Sequence, residues 1–461
     1  MPYANVEEQR AAHYAHLIGL MPELMNRLSW SRAEIDAHRT NAFREMLRHA
    51  QAYSPWYARR TAHVEPATAT LADLARIPVM TKNDLMANWD EIVTVPGANL
   101  KQAEEALQAM TDQAYVWEDH VLFTSGGTGG RPGVFVYDWN ALATTWGGMS
   151  RGMMKYLLSM MQGENGEIRQ PRVAAIGAEK SAHGSYVVAR VFSNPFNPTH
   201  MLSGWRSIDD LVPRLNDIQP QLLSCYPTLI PGLVAAVDAG ALKIAPQVIY
   251  FGAEQLTDYN RQLARKAWPQ AEILTCWGTS EGGGTFPCPC GDGYHISEDL
   301  VVIEPVDAEG LPILPGQKSS GIYFTNLFNK ALPIIRYYID DVFEMEEGPC
   351  PCGSAYRKVR QVHGRTIDTF RYGQIAVNPV ALDLAVLEQP RITEYQIRQT
   401  TRGAHLAYRS DGEVDTDRIV RRFSEALSSY GVNDPQITLE QIKHLERTRA
   451  GKLKRFVPLS Q

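Results

Sequence analysis

The 461-residue sequence has no basic surplus: 45 lysines and arginines face 51 acidic residues, for a formal charge of −6. No basic stripe supplies the phosphate-neutralising term on which nucleic-acid binders depend, which argues against that class. No apolar run approaches the roughly 18 residues of a membrane span. The opening MPYANVEEQRAAHYAHLIGLMPEL sets acidic residues early and lacks the uninterrupted apolar core of a signal peptide. Six cysteines in so long a chain do not build a disulfide scaffold. Internal repeats and low-complexity tracts are also absent. What is left is the composition of a cytoplasmic globular protein, 44% hydrophobic and 21% charged, long enough for two domains.

Glycine, by contrast, is concentrated. TSGGTGGRPG, residues 124 to 133, has five glycines, three hydroxyl residues and one cation, Arg131. Apolar runs flank it, Val121 to Phe123 before and VFVY (134 to 137) after, so the loop is expected between two strands. A Walker A loop would need Gly-Lys-Ser/Thr and then a helix; here Pro132 follows Arg131. Such a loop can turn backbone N–H groups toward one anion, with Ser125, Thr128 and Arg131 adding donors and charge. Taken alone, a flexible hairpin turn reads equally well.

Along the chain, AEIDAHRTNAFREMLRHAQAY repeats apolar positions Ile35, Phe43, Met46 and Leu47 at helical spacing. After the glycine loop, short apolar runs (PRVAAIGA, QLLSCYP, PQVIYFGAE, EILTCWGTSEGGG) alternate with helical patterns, which predicts an α/β sheet region. From about residue 296 the pattern turns β-rich. The last hundred residues read as a small α+β unit. EYQIRQT and AHLAYRS form a strand pair, and DTDRIVRRFSEALSSYG a helix with Ile419, Phe423, Leu427 and Tyr430 on one face. Gly431 stands at its C-terminal cap, and QITLEQIKHL is a third strand. The boundary falls near VHGRTID, giving domains 1–364 and 365–461.

Four further islands follow the glycine loop in order: FGAEQLT (251 to 257), WGTSEGG (277 to 283), ALPIIRYYIDD (331 to 341), and HGRTID with RTRAGKLKR beyond it. This ordered set resembles the adenylate-forming superfamily of acyl-CoA synthetases, most of all its phenylacetate–CoA ligase branch. IPVMTKNDL (77 to 85) and GYHISEDLVVIEPVD (293 to 307) echo that branch too. The loop departs from the branch's Ser-Gly-Thr-Thr-Gly-Lys-Pro by one extra residue and by Arg for Lys. The resemblance spans roughly residues 40 to 456 and implies a large N-terminal domain of mixed sheets and helices with a small, mobile C-terminal domain.

It also implies roles. ATP and a carboxylic acid would give an acyl-adenylate and pyrophosphate, and coenzyme A would then take the acyl group. Ser125, Gly126, Gly127, Thr128, Gly129 and Arg131 match the phosphate loop, and Lys452 the catalytic lysine, with Lys454 as a dispensable neighbour. Glu281, after Thr279 and Ser280, matches the residue that helps hold Mg²⁺, and Asp341, with Asp340 as rival, the ribose-binding aspartate. Ala253 and Glu254 match the adenine segment, Trp277, Gly278, Thr279 and Ser280 the nucleotide-binding run, and Arg365 the interdomain arginine. Ile367 departs from the polar residue common at the hinge. The acid's pocket falls on residues around 175 to 185, Tyr226, Phe251, Gly252 and Trp277 to Gly284, including Gly282 and Gly283. The three aromatics favour an aromatic or flat acid, unless they are simply core. His183 is either a carboxylate neighbour or a structural histidine.

Other readings stay open. Gly278-Thr-Ser280-Glu-Gly282 fits the hydrolase nucleophile elbow, which needs a helix directly after the serine; GGGTFPCPCG cannot supply one. A silent nucleotide- or acyl-binding relative is the third class. The acceptor is also open between coenzyme A, an amine and a protein, because LRHAQAYSPWYARR resembles acyl-protein synthetase and capsule-type relatives as much as CoA ligases. The paired CPCG segments offer Cys288, Cys290, Cys350 and Cys352 either as inert thiols or as four ligands of a structural Zn²⁺, with Cys276 and His295 as substitutes. Cys225 reads as core. Oligomeric state is left undetermined.

Overall fold

The protein was analysed as a computed structural model that describes residues 5–110, 115–125, 133–162, 167, 169–177, 184–192, 199–204, 206–252, 256–290, 293–365, 370–373, 375–377, 379, 382, 385–386, 389, 391–446 and 453–459. The fold is mixed α/β, as expected. Two compact units emerge: one gathers Met1–Val173, Ala178–His200 and Leu274–His363, the other Ala174–Gly177, Met201–Ile273 and Gly364–Gln461.

In the first unit the leading segment is helical for the reason its spacing suggests. Ser31 caps the helix Arg32–Tyr53, its hydroxyl accepting from the Glu34 amide while the Glu34 carboxylate accepts from the Ser31 amide (2.8 Å). Ile35, Phe43, Met46 and Leu47 are all fully buried along one face. The glycine loop does lie between strands: His120–Thr124 and Val134–Tyr137 pair antiparallel, with Thr124 opposite Val134. A five-stranded sheet runs in the order Asp341–Met345, Lys358–Arg365, Tyr294–Ile296, Gly283–Pro287, Gly278–Thr279, and an antiparallel sheet of Val301–Val306, Gly321–Asn326 and Tyr337–Ile339 completes the β-rich part.

A buried charge cluster fastens these sheets to the leading helices. Arg151 grips Asp299 with two bonds (2.8 and 2.6 Å), both side chains fully buried. Glu298 beside it accepts from Arg32 (2.7 Å), Arg39 (3.1 Å) and Arg357 (2.8 Å). Burial pushes both carboxyls up, but the arginines outweigh it and hold both below their ordinary pKa.

The second unit carries a five-stranded sheet ordered Thr199–Ser203, Val173–Gly177, Leu222–Cys225, Val248–Phe251, Glu272–Thr275. Leu222–Cys225 and Val248–Phe251 run parallel, Cys225 opposite Phe251. Leu211, Leu215, Ile230 and Leu233 from the neighbouring helices fill its core. The C-terminal residues form a sheet ordered Gln436–Gln441, Gly403–Ser410, Ile392–Gln399, Phe456–Val457, over which the helix Thr416–Ser429 lays fully buried Ile419, Phe423 and Leu427. Gly431 ends that helix at φ +94°, its amide bonding the Ser428 carbonyl (2.9 Å) and the Val432 amide that of Leu427 (3.1 Å), the bond pair of a Schellman cap. Tyr430 departs from its expected place on the buried face: it is the cap residue, where the chain turns away, and it stays 43% exposed. Among the described residues no helix is long and apolar enough to cross a membrane.

Candidate active site

Around the glycine loop, the structure fixes the base and the frame. The Ser125 amide donates to the Gly133 carbonyl (3.0 Å) and the Gly133 amide to the Ser125 hydroxyl (2.9 Å), closing the loop where it leaves the strands. Gly126, Gly127, Thr128, Gly129 and Arg131 lie outside the described residues, as do His183, Ala253, Glu254, Lys452 and the side chain of Arg365.

The Thr279-Ser280-Glu281 stretch forms the tip of a tight hairpin, with Gly283 opposite Thr279 and Gly284 opposite Gly278. The reversal needs backbone that only glycine supplies cheaply: Gly282 has φ +154° and Gly283 φ +75°. A Cβ on Gly282 would also sit 2.1 Å from Asn326 Nδ2. At the hairpin's base the Thr285 hydroxyl accepts from the Trp277 amide (2.8 Å) and donates to its carbonyl (2.8 Å). Glu281 is buried at 7% exposure, with the Thr279 hydroxyl donating to its carboxylate. Ser280 is followed by the strand Gly283–Pro287 and not by a helix, so the elbow required by the hydrolase reading is missing, as its residues foretold.

One long-range bond joins this turn directly to the loop's exit strand, and two more tie the turn and the strand in common to the Asn326–Asn329 segment. The Tyr137 hydroxyl donates to the Ser280 carbonyl (2.7 Å), Asn326 Nδ2 to the Glu281 carbonyl (3.0 Å) and Asn329 Nδ2 to the Val136 carbonyl (3.0 Å). Asn326 Oδ1 meanwhile accepts from the amides of Phe328 and Asn329 (2.9 and 2.8 Å). Burial, and then the nearby Glu281 charge, push the Tyr137 phenol well above its ordinary pKa, so it stays a hydrogen-bond donor. Tyr137, Asn326 and Asn329 were not anticipated as site residues. The TNLFN stretch carries a local signal, since asparagine side chains cap turns two or three residues on; VFVY carries none.

Asp341 opens the strand Asp341–Met345, half-buried, on the same side as Phe343 two residues later. Phe343 stands edge-on to Trp277 (4.9 Å, 85°), so Trp277 is partly engaged in packing. In the second unit Tyr226 and Gly252 directly follow the carboxyl ends of two parallel strands, and Phe251 closes one of them. Carboxyl ends of parallel strands are where open α/β sheets bind ligands. The side chains of Tyr226 and Phe251 belong to the hydrophobic core at 4% and 0% exposure. The four expected zinc ligands separate: Cys288, Cys350 and Cys352 gather with His295, while Cys290 is exposed on the turn after Cys288 and is carried outward.

This architecture is that of the adenylate-forming acyl-CoA ligases. The chain superposes on 2-hydroxyisobutyryl-CoA ligase in its postadenylation state in complex with 2-HIB-AMP with a TM-score of 0.70 at 18% identity, covering 94% of this chain and 91% of that one. An open conformation of that ligase in complex with 2-HIB-AMP and CoA aligns with a TM-score of 0.55 at 18% identity, over 94% of this chain and 93% of the other. No family model matches the chain. Its sequence is similar to phenylacetate–coenzyme A ligases: 25% identical to that of Pseudomonas putida over 90% of this chain and 93% of that one, and 24% identical to that of Escherichia coli K12 over 81% and 80%. The resemblance drawn from the motifs is borne out, and fold and relatives together support an AMP-forming CoA ligase.

Proposed function

We propose that this protein uses ATP to convert a carboxylic acid, an aromatic one by its likeness to the phenylacetate–coenzyme A ligases, into an acyl-adenylate with release of pyrophosphate. It then passes the acyl group to coenzyme A. The observation that carries this reading is the Tyr137–Ser280 hydrogen bond (2.7 Å), which sets the strand leaving the glycine loop against the turn bearing Glu281. Two segments with opposite phosphate-handling chemistry, a donor-rich loop and a carboxylate, thereby share one frame.

Adenylation joins a carboxylate oxygen to the α-phosphorus and breaks its bond to the bridging oxygen of pyrophosphate. Negative charge must be met on both sides of that exchange, and losing one fixed donor in such a site costs about 3 kcal/mol. In this reading the 125–131 loop holds the departing phosphates through its amides, Ser125, Thr128 and Arg131. Lys452 bridges substrate carboxylate and α-phosphate. Glu281 suits Mg²⁺ because that ion commonly takes one protein carboxylate and otherwise phosphate and water oxygens, and when bound it would neutralise phosphate charge. Asp341 accepts from the ribose hydroxyls, and Arg365 reaches the nucleotide. The domain division at 364/365, with a cap that swings between half-reactions, belongs to the same proposal, as does cytoplasmic placement.

The test is acid-dependent ATP–pyrophosphate exchange over aromatic and aliphatic acids, with Lys452→Ala and Lys454→Ala beside the wild type. Exchange supported by one acid class, abolished by Lys452→Ala and retained by Lys454→Ala, is expected; adding CoA should then yield a thioester. ATP binding without exchange for any acid would favour a silent nucleotide-binding relative.

A further inference from the structure

Cys288, His295, Cys350 and Cys352 come from three places in the sequence, yet their donor atoms all lie within 4.8 Å of one another. Cys288 Sγ is 3.5 Å from Cys350 Sγ, and Cys352 Sγ is 3.2 Å from His295 Nε2. A tetrahedral zinc with Zn–S near 2.3 Å and Zn–N near 2.0 Å holds its sulfurs about 3.8 Å apart and sulfur to nitrogen about 3.5 Å. These two distances fall within about 0.3 Å of that geometry, and no other pair exceeds it by more than about 1.3 Å.

The histidine is already set for such a role. Its Nδ1 lies 2.9 Å from the Tyr356 carbonyl, which can only accept, so Nδ1 carries the proton and Nε2 keeps a free lone pair. That lone pair faces the sulfurs, and the ring is fully buried and stacked on Phe286 (5.4 Å). A backbone carbonyl fixing the far nitrogen is the usual support of a ligating imidazole. The backbone brings the set together through register. Cys288 follows the strand Gly283–Pro287, His295 stands opposite Phe286 on the next strand and opposite Lys358 on the one beyond. Cys350 and Cys352 occupy a tight turn closed by the Gly353 amide on the Cys350 carbonyl (3.0 Å).

We infer that Cys288, His295, Cys350 and Cys352 form a closed structural zinc site, with Cys290 outside it. Three sulfurs and one imidazole select zinc over the hard cations, which take oxygen ligands. Four protein donors leave no open position, so the ion performs no chemistry. Its work is mechanical: it ties the strand that leaves the Glu281 turn, Gly283–Pro287, to the chain entering Lys358–Arg365. The inference does not depend on the adenylation reading.

Metal content of the purified full-length protein, together with X-ray absorption at the zinc edge, tests it. The wild type and Cys290→Ser are expected to carry about one zinc per chain, with three sulfurs near 2.3 Å and one nitrogen near 2.0 Å. Cys350→Ser and His295→Gln should lose at least about tenfold in zinc affinity. Should those two fail to fold, the wild-type absorption shell and the Cys290→Ser content still decide the matter. A four-sulfur shell, zinc lost from Cys290→Ser, or wild-type protein that retains no zinc when grown and purified with it would overturn the assignment.

Discussion

Gly282→Ala is the sharpest perturbation of the proposed adenylation site, because one methyl group acts in two ways. Gly282 sits at φ +154°, a conformation alanine rarely adopts, and holding a residue there costs about 1–3 kcal/mol. The new Cβ would also lie 2.1 Å from Asn326 Nδ2, which donates to the Glu281 carbonyl. Asn326 must yield, and a buried donor and acceptor lose each other at about 1–3 kcal/mol. The combined cost is about 2–6 kcal/mol, and it falls on the turn that aims Glu281. If about 2 kcal/mol of it is expressed in the transition state, exchange drops about 30-fold. Gly316→Ala is the matched control: φ is +82°, but the nearest atom to a new Cβ is Glu347 Oε2 at 3.5 Å. It carries the backbone penalty alone, so its melting temperature should fall while exchange per folded molecule stays at the wild-type level. Gly282→Ala within about threefold of wild type in ATP–pyrophosphate exchange, or Gly316→Ala losing exchange equally, would refute the reasoning.

Two further outcomes concern stability. Asp299→Asn leaves Arg151 charged and buried without its partner, at a cost of about 3–5 kcal/mol; urea midpoints should fall accordingly, and pairing Asp299→Leu with Arg151→Met should recover much of the loss. His13 is fully buried between the Trp139 carbonyl (2.7 Å) and the Tyr115 hydroxyl (3.0 Å), and burial lowers its pKa to about 4 from 6.5. The unfolded chain thus binds the extra proton first, so the contribution is complete above pH 6.5 and is lost as pH falls toward 4. At pH 5 about 2 kcal/mol should be gone, a loss visible in denaturant midpoints and largely missing in His13→Gln.

Local chemistry was legible wherever its cause was local. Helix Arg32–Tyr53 declares itself by Ser31, Glu34 and four apolar residues at helical spacing, and Gly431 marks the end of the last long helix. The strands on either side of the glycine loop follow from two short apolar runs. Tyr430 misled because periodicity continues past the point where the cap turns the chain away. The cysteines misled in a related way: two identical CPCG segments suggest equal use of all four thiols, yet a turn decides which sulfur of Cys288 and Cys290 faces inward. His295, expected only as a substitute ligand seven residues beyond Cys288, joins the three cysteines through its register opposite Phe286 and Lys358. Tyr137 and Asn326 likewise gain their importance from partners 143 and 45 residues away.

The hairpin from Gly278 to Pro287 links the proposed adenylation site to the Cys–His cluster. Its tip bears Glu281, held from one side by Tyr137 at Ser280 and from another by Asn326. Its base is clamped by Thr285 to Trp277, and Trp277 abuts Phe343, two residues along the strand that Asp341 opens. Its far end runs into Cys288 and the Cys–His cluster. Gly278–Thr279 is the edge of its five-stranded sheet, so these contacts add to the sheet pairing in holding a carboxylate at the hairpin's tip as a fixed group. Fixed geometry is what catalysis by electrostatic stabilisation requires, because a donor or acceptor that must reorganise as charge develops returns much of its benefit. The cluster of thiols and imidazole, the buried asparagines and the positive-φ glycines therefore serve one end: a rigid turn bonded through Tyr137 to the strand that follows the loop proposed to hold the phosphates.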